Sequence, residues 1–334
     1  MESPGLKPRV LVSSYYDRNS VQPALDRLAA AAEVILCEEG RSLRADELLS
    51  RLEGVDAVIA AEERYTKNIF DNAPRLRMIA RDGVGLDSID LAEATRHNVI
   101  VTNAPVVHES VADLAMGLIL TVVRRIAIGN AGMRSGKWVQ RDRYLSRDVH
   151  GLCLGLLGFG AIGRAVAKRA AGFDMRVLAC DPNPDQRVAE ALGVELVDFE
   201  TLLTEADVVS LHVPLTERTK GIIDEQAIGR MKKGAFLINT SRGQVLHEEA
   251  LYQALREGAL GGAGLDVLSV EPPPANHPLF ELENVVVTPH VGSDTTGTFR
   301  RVYETAVSDI CLFFSGKRPQ HVVNPAVLER KTKP

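Results

Sequence analysis

The sequence predicts an α/β protein built from two doubly wound parallel sheets, and three observations support this fold class. Short apolar runs alternate with amphipathic segments along most of the chain, and such alternation is typical of parallel strands connected by helices. A glycine-rich turn lies near the middle of the chain, between a predicted strand and a predicted helix. The length of 334 residues and the hydrophobic content of 45% allow two domains with separate cores.

Five short apolar runs precede the glycine-rich turn and are predicted to be buried strands: residues 9–13, 33–37, 56–60, 76–80 and 99–102. We expect them to form a complete small domain of the flavodoxin-like type. Ligands bind beyond the carboxyl ends of the strands in such sheets. Gly83, Val84 and Gly85 follow the fourth run, and their backbone N–H groups could hold a substrate carboxylate. A tight turn without a ligand is the alternative.

The glycine-rich turn has the G-x-G-x-x-G pattern, with an apolar run before it and a predicted helix over 164–171 after it. In this pattern the first glycine permits the tight turn, the second lets the backbone approach a pyrophosphate, and the third lets helix and strand pack closely. The helix N-terminus then binds the phosphates. The predicted contacts are Gly158, Gly160, Ala161, Ile162 and Gly163.

Asp181 indicates which dinucleotide is bound. It ends a second apolar run, 175–180, and follows the last glycine by 18 residues, close to the spacing of about 20 in the fingerprint. A carboxylate there accepts hydrogen bonds from the adenosine ribose hydroxyls and repels a 2′-phosphate. The next residues, Pro182, Asn183 and Pro184, provide no arginine to counter it. The sequence therefore favours NAD over NADP.

Further strands are predicted after the glycine-rich turn, at 208–211, 235–239, 263–267 and 285–288. Because this turn lies near the middle of the chain, the second domain is predicted to be inserted into the first. We expect residues 1–103 and 293–334 to form a discontinuous substrate domain, with a last helix over 295–316. Residues 104–292 are expected to form the dinucleotide-binding Rossmann domain, with a cleft between the two.

A long apolar helix is predicted to begin at a capping box over 110–113 and to run to about Ile128. A helix this apolar must be buried. Its apolar face would lie either inside its own domain or against a second subunit.

Three side chains at the predicted cofactor edge have the chemistry that a 2-hydroxy acid dehydrogenase needs. Arg242 could bind a carboxylate bidentately. His290 could act as the acid/base group, because imidazole titrates near neutral pH. Glu271 could orient the imidazole and raise its pKa. Each has an alternative: a surface ion pair for the arginine, a solvated loop position for the glutamate, and a structural turn for the histidine.

Several other classes are disfavoured by the sequence. The net charge of −5, without a long basic block, argues against a nucleic-acid partner. The longest apolar run, 114–123, is too short to span a bilayer, and the N-terminus lacks the apolar core of a signal peptide. No metal-ligand spacing is visible. The scattered cysteines are typical of a reduced cytoplasmic protein: Cys37, Cys153, Cys180 and Cys311.

The motifs GFGAIG (158–163), NTSRG (239–243), DVLSVEP (266–272) and TPHVG (288–292), with GVGLD (83–87) before them, resemble the D-isomer-specific 2-hydroxyacid dehydrogenase family. The resemblance covers nearly the whole chain. It implies an NAD-dependent oxidoreductase acting on the CH–OH group of a small 2-hydroxy acid, and a homodimer built through the NAD domains. It places the family's Arg–Glu–His set at Arg242, Glu271 and His290, and implies that Asp266 holds the nicotinamide amide. The further cofactor contacts implied are Val213, Pro214, Thr240, Ser241, Arg242, His290 and Gly292, and Arg242 and His290 also contact substrate.

Two readings within this resemblance stay open besides a glyoxylate, hydroxypyruvate or sugar-acid reductase. One is a D-3-phosphoglycerate dehydrogenase, although the acidic turn over 60–63 replaces the Arg-Ser turn that holds phosphate there. The other is a non-catalytic, NAD-sensing binding protein of the corepressor type. Formate dehydrogenases are disfavoured because they have Gln at the position of Glu271.

Overall fold

The computed structural model describes residues 7–13, 18–37, 39, 41–138 and 141–330. The first six and last four residues of the predicted substrate domain therefore lie outside the described residues. The chain divides into two compact units, one made of residues up to Val107 together with those from Ser293 onward, and one made of His108–Gly292.

The described strands, in chain order, are β1 (Arg9–Val12), β2 (Glu33–Leu36), β3 (Ala57–Ala60), β4 (Met78–Arg81), β5 (Ile100–Thr102), β6 (Cys153–Leu157), β7 (Arg176–Cys180), β8 (Val194–Leu196), β9 (Val208–Leu211), β10 (Ala235–Asn239), β11 (Leu260–Leu265) and β12 (Val285–Val287).

The described helices are α1 (Arg18–Ala31), α2 (Ala45–Arg51), α3 (Lys67–Asn72), α4 (Leu91–Arg96), α5 (His108–Val123), α6 (Ile126–Arg134), α7 (Ala161–Ala170), α8 (Gln186–Leu192), α9 (Phe199–Glu205), α10 (Glu225–Arg230), α11 (Glu248–Arg256), α12 (Thr296–Phe314) and α13 (Ala326–Arg330). Short 3₁₀ helices lie at Arg141–Tyr144, Ala171–Phe173, Gly243–Val245 and Pro278–Glu281.

The first unit contains a parallel sheet in the order β2-β1-β3-β4-β5. This is the doubly wound order of flavodoxin-like folds. The strands are short and apolar on both faces, so residues such as Val58 and Ile79 are completely buried. The helix α12 packs against α1 and β4. The chain therefore returns to the first unit at its C-terminal end.

The second unit contains a parallel sheet in the order β12-β11-β10-β9-β6-β7-β8. Counted from β6, this is the Rossmann strand order with one further strand at the β12 edge. The strand order reverses at β6, which lies between β7 and β9. Ligands bind at such a reversal, beyond the carboxyl ends of the strands. The predicted α/β class with two doubly wound parallel sheets is confirmed.

The predicted apolar helix differs from the expectation at both ends. The helix α5 begins at His108, so Ser110 lies within its first turn, and Asp113 bonds Arg169 Nε at 2.7 Å instead of capping the helix. It ends at Val123, because Arg125 adopts a left-handed backbone conformation with φ of 53° and α6 begins after it. The buried face of α5 packs against α7, β10 and β11 of its own unit. In the part of the chain that the structure describes, no helix is both long enough and apolar enough to cross a membrane.

Candidate active site

The glycine-rich turn follows β6 at the point where the strand order reverses. Gly158 has a φ of 98°, and a Cβ there would lie 2.5 Å from the carbonyl oxygen of His212. A Cβ at Gly163 would lie 2.3 Å from the carbonyl oxygen of Gly158. These two glycines are therefore required by the packing of β6, α7 and the turn after β9.

Gly160 is required for a different reason. Its φ of −75° is accessible to any residue, and among the described residues no heavy atom lies within 4 Å of a Cβ built there. It is the N-cap of α7 without a side-chain cap, and the helix begins with exposed Ala161 and half-buried Ile162. The first N–H groups of a helix have no intrahelical partner and bind anions. The open space before α7 therefore fits a pyrophosphate.

Asp181 follows β7 directly and contacts the glycine-rich turn. Its Oδ2 atom accepts a hydrogen bond from the Phe159 N–H at 2.8 Å, and its Oδ1 atom accepts one from the Asn183 N–H at 2.9 Å. Each carboxylate oxygen has two lone pairs. The carboxylate is therefore held in place by backbone groups and retains the capacity to accept ribose hydroxyls.

The turn after β9 borders the glycine-rich turn. A Cβ at Gly158 would lie 3.1 Å from Val213 Cγ1, and Pro214 follows as an exposed residue. His212 lies 2.9 Å from Ser210 Oγ through its Nε2 atom. Burial lowers the pKa of His212 to about 4, so the ring is neutral near pH 7.

The turn after β10 contains Thr240, Ser241 and Arg242. It is held by Asn239, which is completely buried, accepts hydrogen bonds from the Ser241 N–H and Oγ at 3.0 and 2.8 Å, and donates one to the Arg242 carbonyl at 2.9 Å. Arg242 is half-buried and donates to the Ser241 carbonyl at 2.7 Å.

Thr240 carries an orphaned polar atom at this edge. Its side chain is buried, and Oγ1 has no hydrogen-bond partner among the described residues. Leaving a buried hydroxyl without a partner costs free energy. A ligand on the cofactor edge would supply the missing partner, so this atom, like the space at Gly160, fits a bound dinucleotide.

His290 and Glu271 form a hydrogen-bonded pair. The Nδ1 atom of His290 lies 2.8 Å from Glu271 Oε2, and Oε1 accepts the Leu268 N–H at 3.0 Å. Because an ionised carboxylate only accepts, Nδ1 carries the proton and Nε2 is the nitrogen that can exchange one. Burial acts to raise the pKa of Glu271, but the hydrogen bond and charge of His290, the Leu268 N–H and the charge of Arg242 outweigh it, so this pKa is lowered.

Asp266 holds the turn that carries His290. Its buried carboxylate accepts hydrogen bonds from the N–H groups of Val291 and Gly292, at 3.0 and 2.8 Å, and from the Thr288 hydroxyl. Its carbonyl accepts the His290 N–H at 2.8 Å. His290 itself has a φ of 54°, which is uncommon for a residue with a side chain. Sequence reasoning missed this anchoring function; the available signal was an acidic residue directly after an apolar strand.

Gly83, Val84 and Gly85 lie directly beyond β4, at the carboxyl edge of the first unit's sheet. The carbonyl of Gly83 accepts the Ala104 N–H at 3.0 Å, and that of Val84 accepts Asn103 Nδ2 at 3.1 Å. The N–H groups of Val84 and Gly85 make no backbone hydrogen bond to another described residue. The loop therefore has N–H groups available to an anion.

The second unit thus brings a dinucleotide-binding turn and a carboxylate-held imidazole to one edge of one sheet. Hydride transfer to a carbonyl needs a proton delivered beside the nicotinamide, and an imidazole held by a carboxylate meets that need. In the described residues, no cluster of three or more His, Cys, Asp or Glu side chains could hold a metal ion. Fold and site define the class of nicotinamide-dependent dehydrogenases.

Comparisons with known proteins identify the family. Residues 116–292 match the family model described as "D-isomer specific 2-hydroxyacid dehydrogenase, NAD binding domain". The chain is 40% identical over 329 residues to a glyoxylate reductase of Korarchaeum cryptofilum, covering 97% of this chain and 98% of that protein. It is 39% identical over 302 residues to a D-3-phosphoglycerate dehydrogenase of Methanocaldococcus jannaschii, covering 90% of this chain and 57% of that protein.

A solved structure is also similar over nearly its whole length. The TT0316 protein from Thermus thermophilus has a TM-score of 0.87 and 41% sequence identity, covering 94% of this chain and 99% of that one. The chain belongs to the D-isomer-specific 2-hydroxyacid dehydrogenase family. It is an NAD-dependent oxidoreductase that acts on the CH–OH group of 2-hydroxy acids, which confirms the predicted class, cofactor and kind of substrate.

Proposed function

We propose that this chain reduces a small, unphosphorylated 2-keto acid, with glyoxylate as the first candidate. His290 is the acid/base group, Glu271 stabilises its protonated form, and Arg242 binds the substrate carboxylate. The single observation that supports these assignments best is the 2.8 Å contact of His290 Nδ1 with Glu271 Oε2. The positive charge of Arg242 also lowers the pKa of Glu271.

The chemistry divides between the cofactor and the side chains. The dihydronicotinamide of NADH would supply the hydride for reduction when the cofactor is bound, and NAD would be the product. His290 donates the proton from Nε2 to the carbonyl oxygen, so that hydride and proton together convert the 2-keto acid into the 2-hydroxy acid. Glu271 stabilises the imidazolium before the proton leaves. Arg242 orients the carboxylate and withdraws charge from the adjacent carbonyl. The backbone N–H groups of Val84 and Gly85 keep their predicted role as carboxylate-binding groups.

The first unit favours a substrate without a phosphate. The turn after β3 carries two acidic residues beside the edge where Gly83–Gly85 lie. Glu63 is 1% exposed, and its Oε2 atom accepts Ser13 Oγ and the Ala61 N–H, both at 3.0 Å. Arg81 is paired with Asp82, and its Nη2 atom lies 4.0 Å from Glu62 Oε1. Acidic groups repel a phosphate dianion, so phosphoglycerate is the less favoured substrate.

The cofactor assignments have a common basis. Gly158, Gly160, Ala161, Ile162 and Gly163 bind the pyrophosphate, and Asp181 binds the adenosine ribose. Val213, Pro214, Thr240, Ser241, Asp266 and Gly292 border the remainder of the dinucleotide. The space at Gly160 and the orphaned Thr240 hydroxyl support these positions.

A panel of 2-keto acids tests the proposal. We expect the purified chain to oxidise NADH with glyoxylate or hydroxypyruvate, and with 3-phosphohydroxypyruvate far more slowly. The His290→Ala variant should lose turnover while its Kd for NADH changes little. His150→Ala is the matched control, because that histidine is exposed and pairs only with Asp174 among the described residues. NADH binding without turnover of any acid would instead support the NAD-sensing alternative, and equal losses of NADH affinity and rate in His290→Ala would contradict the proposed role.

We infer that the chain is a homodimer formed through the second unit. Apolar side chains are exposed on and after α6: Ile126 is 53% exposed, Met133 is 50% exposed and Leu145 is 79% exposed. Exposed apolar groups in one region are typical of a protein interface. Light scattering coupled to gel filtration should give a dimer for the wild type and a monomer for Ile126→Asp combined with Leu145→Asp. A monomeric wild type would contradict this inference.

We also propose that the chain is cytoplasmic. Its four cysteines are free thiols; Cys37 and Cys153 are buried, and Cys180 and Cys311 are half-buried. Free thiols persist in reducing compartments. Fractionation of the source cells tests this, and recovery from a secreted or membrane fraction would contradict it.

A further inference from the structure

The loop that carries Glu271 is held by Glu248, at the start of α11, and by Gln244, in the 3₁₀ helix just before it. Glu271 Oε1 accepts the Leu268 N–H, and three peptide units separate these two residues along the chain. Ser269 contributes the N–H group of the first of these units and the carbonyl group of the second. The Ser269 N–H donates to Glu248 Oε1 at 2.5 Å, and the Ser269 carbonyl accepts Gln244 Nε2 at 2.8 Å. The backbone conformation that places Glu271 is therefore set by Glu248 and Gln244.

Glu248 also contacts the far end of the same loop. Its Oε2 atom lies 3.4 Å from His277 Nε2, and the His277 ring packs on Phe280 with a centroid distance of 5.3 Å. The side chains of Glu248 and His277 are only 18% and 14% exposed. One carboxylate thus holds Ser269 on one side of Glu271 and His277 on the other.

The same region is joined to the Arg242 turn. Gly243 follows Arg242 and is buried against the loop backbone, since a Cβ there would lie 2.0 Å from the Leu268 carbonyl carbon and 2.3 Å from the Ser269 nitrogen. A side chain at this position would separate the two segments. Arg242 and Glu271 are thus positioned by one backbone contact, that of Gly243 with Leu268 and Ser269.

We propose that Glu248 is a positioning residue for proton transfer, acting through the Ser269 backbone to hold Glu271 against His290. The inference rests on the proposed roles of Glu271 and His290 in reduction. Among the described contacts, Glu248 bonds neither the Glu271 carboxylate nor the His290 ring. Its effect is to keep the Glu271 carboxylate within hydrogen-bond reach of Nδ1, which fixes the ring orientation and stabilises the imidazolium. Small displacements of a catalytic group cost up to about 100-fold in rate.

The test compares Glu248→Ala, Glu248→Gln and Glu249→Ala. Glutamine retains an oxygen that accepts the Ser269 N–H. Glu249 is the matched control, because it lies in the same first turn of α11, is exposed, and bonds only Gln253 Nε2 among the described residues. Both alanine variants remove one charge from the same helix end. The loss of kcat specific to Glu248→Ala therefore measures the loop contact.

We expect Glu248→Ala to lower kcat about 10- to 100-fold, while the Kd for NADH and the KM for the keto acid stay within about twofold. The limb of the kcat–pH profile set by the imidazolium should move to lower pH, because a displaced Glu271 no longer supports the charged ring. Asp266, whose carboxylate holds the His290 turn, and Arg242, whose charge lowers the pKa of Glu271, are further charged groups beside this pair in the second unit. Glu248→Gln should recover most of kcat, and Glu249→Ala should match the wild type.

Wild-type kcat and pH profile in Glu248→Ala would overturn the inference. So would an equal loss in Glu249→Ala, a Glu248→Gln variant as slow as Glu248→Ala, or a loss of rate matched by a loss of NADH affinity. If Glu248→Ala does not fold, Gln244→Ala removes the bond to the adjacent peptide from an exposed side chain, and an unchanged kcat there overturns the inference instead. A wild type that reduces no keto acid refutes the proposed function itself, whereas an active, His290-dependent enzyme with an unaffected Glu248→Ala variant refutes only the positioning role.

Discussion

Gly160→Ala and Gly163→Ala should separate cofactor binding from stability, although both remove a glycine of the same turn. At Gly163 the new methyl group would lie 2.3 Å from the Gly158 carbonyl oxygen, a backbone atom that cannot move without shifting the turn. Overpacking of this kind costs about 1–3 kcal/mol. For a unit of this size each kcal/mol lowers Tm by about 2–4 °C, so Gly163→Ala should lower Tm by roughly 2–12 °C.

At Gly160 the reasoning gives the opposite result. The φ of −75° suits alanine, and the methyl group would meet no heavy atom within 4 Å among the described residues. Stability should therefore stay unchanged or rise by about 0.4–1 kcal/mol through the lower entropy of the unfolded chain. The methyl group would occupy the space that the pyrophosphate needs. Losing one hydrogen bond to a charged group costs about 1.5–3 kcal/mol, which raises the Kd for NADH roughly 10- to 100-fold.

Two measurements on each variant decide the matter: thermal unfolding followed by circular dichroism without cofactor, and NADH titration followed by fluorescence. The expected pattern is a normal Tm with weak NADH binding for Gly160→Ala, and a lowered Tm for Gly163→Ala. A Gly160→Ala variant that binds NADH as tightly as the wild type would show that the space before α7 is not the phosphate site. A Gly160→Ala variant as unstable as Gly163→Ala would show that the space has a structural function instead.

Three further predictions concern Asp266, His212 and Asp181. Asp266→Asn should lose at least one of the backbone bonds to Val291 and Gly292, since the amide nitrogen cannot accept; steady-state kinetics should show a lowered kcat and unfolding a loss of about 1–3 kcal/mol. His212 has an ordinary pKa of 6.5 in the unfolded chain and a pKa of about 4 in the folded chain, so between these two pH values only the unfolded chain binds the proton. The free energy of unfolding should therefore fall as pH drops from 6.5 to 4, by up to ~1.4 kcal/mol per pH unit. Urea unfolding should show this fall in the wild type and a smaller one in His212→Asn. Asp181→Ala should raise the Kd for NADH about tenfold and reduce the ratio of the Kd for NADPH to the Kd for NADH, both measured in parallel titrations. For each of the three variants, a measured value equal to that of the wild type would contradict the role assigned to the replaced residue.

The sheet strands could be predicted from the sequence because parallel strands buried on both faces are continuous apolar runs. The runs 9–13, 56–60 and 99–102 correspond to β1, β3 and β5 to within one residue at either end. The glycine-rich turn was predictable for a related reason. Its three glycines occur at fixed offsets between such a run and a helix: those at 158 and 163 avoid backbone clashes, and the one at 160 leaves the space before α7 open.

The rest could not be predicted, because it depends on backbone conformations without a sequence signal or on contacts between residues distant in the sequence. The break after α5 is set by a left-handed Arg125, which no local signal marks. The side-chain bonding partners of Asp266 lie 22 to 26 positions further along the chain. Ser269, which bonds Glu248, lies 21 positions further, in the loop after β11. Sequence patterns identify the side chains that take part in the chemistry. They do not identify the backbone groups to which the neighbouring anchor residues bond.

The polar residues at the strand ends share a function, which is to hold the turns of the site in place. Asp181, Asn239 and Asp266 each end or directly follow a parallel strand, and each accepts backbone N–H groups of a turn at the same edge. Turns at a sheet edge have N–H groups without ladder partners, and buried ones must be paired. A carboxylate or amide at the strand end pairs them, so the turn becomes part of the sheet's rigid framework. Replacing such an anchor should therefore lower stability and rate together, because the turn that carries the reacting side chains loses its backbone hydrogen bonds.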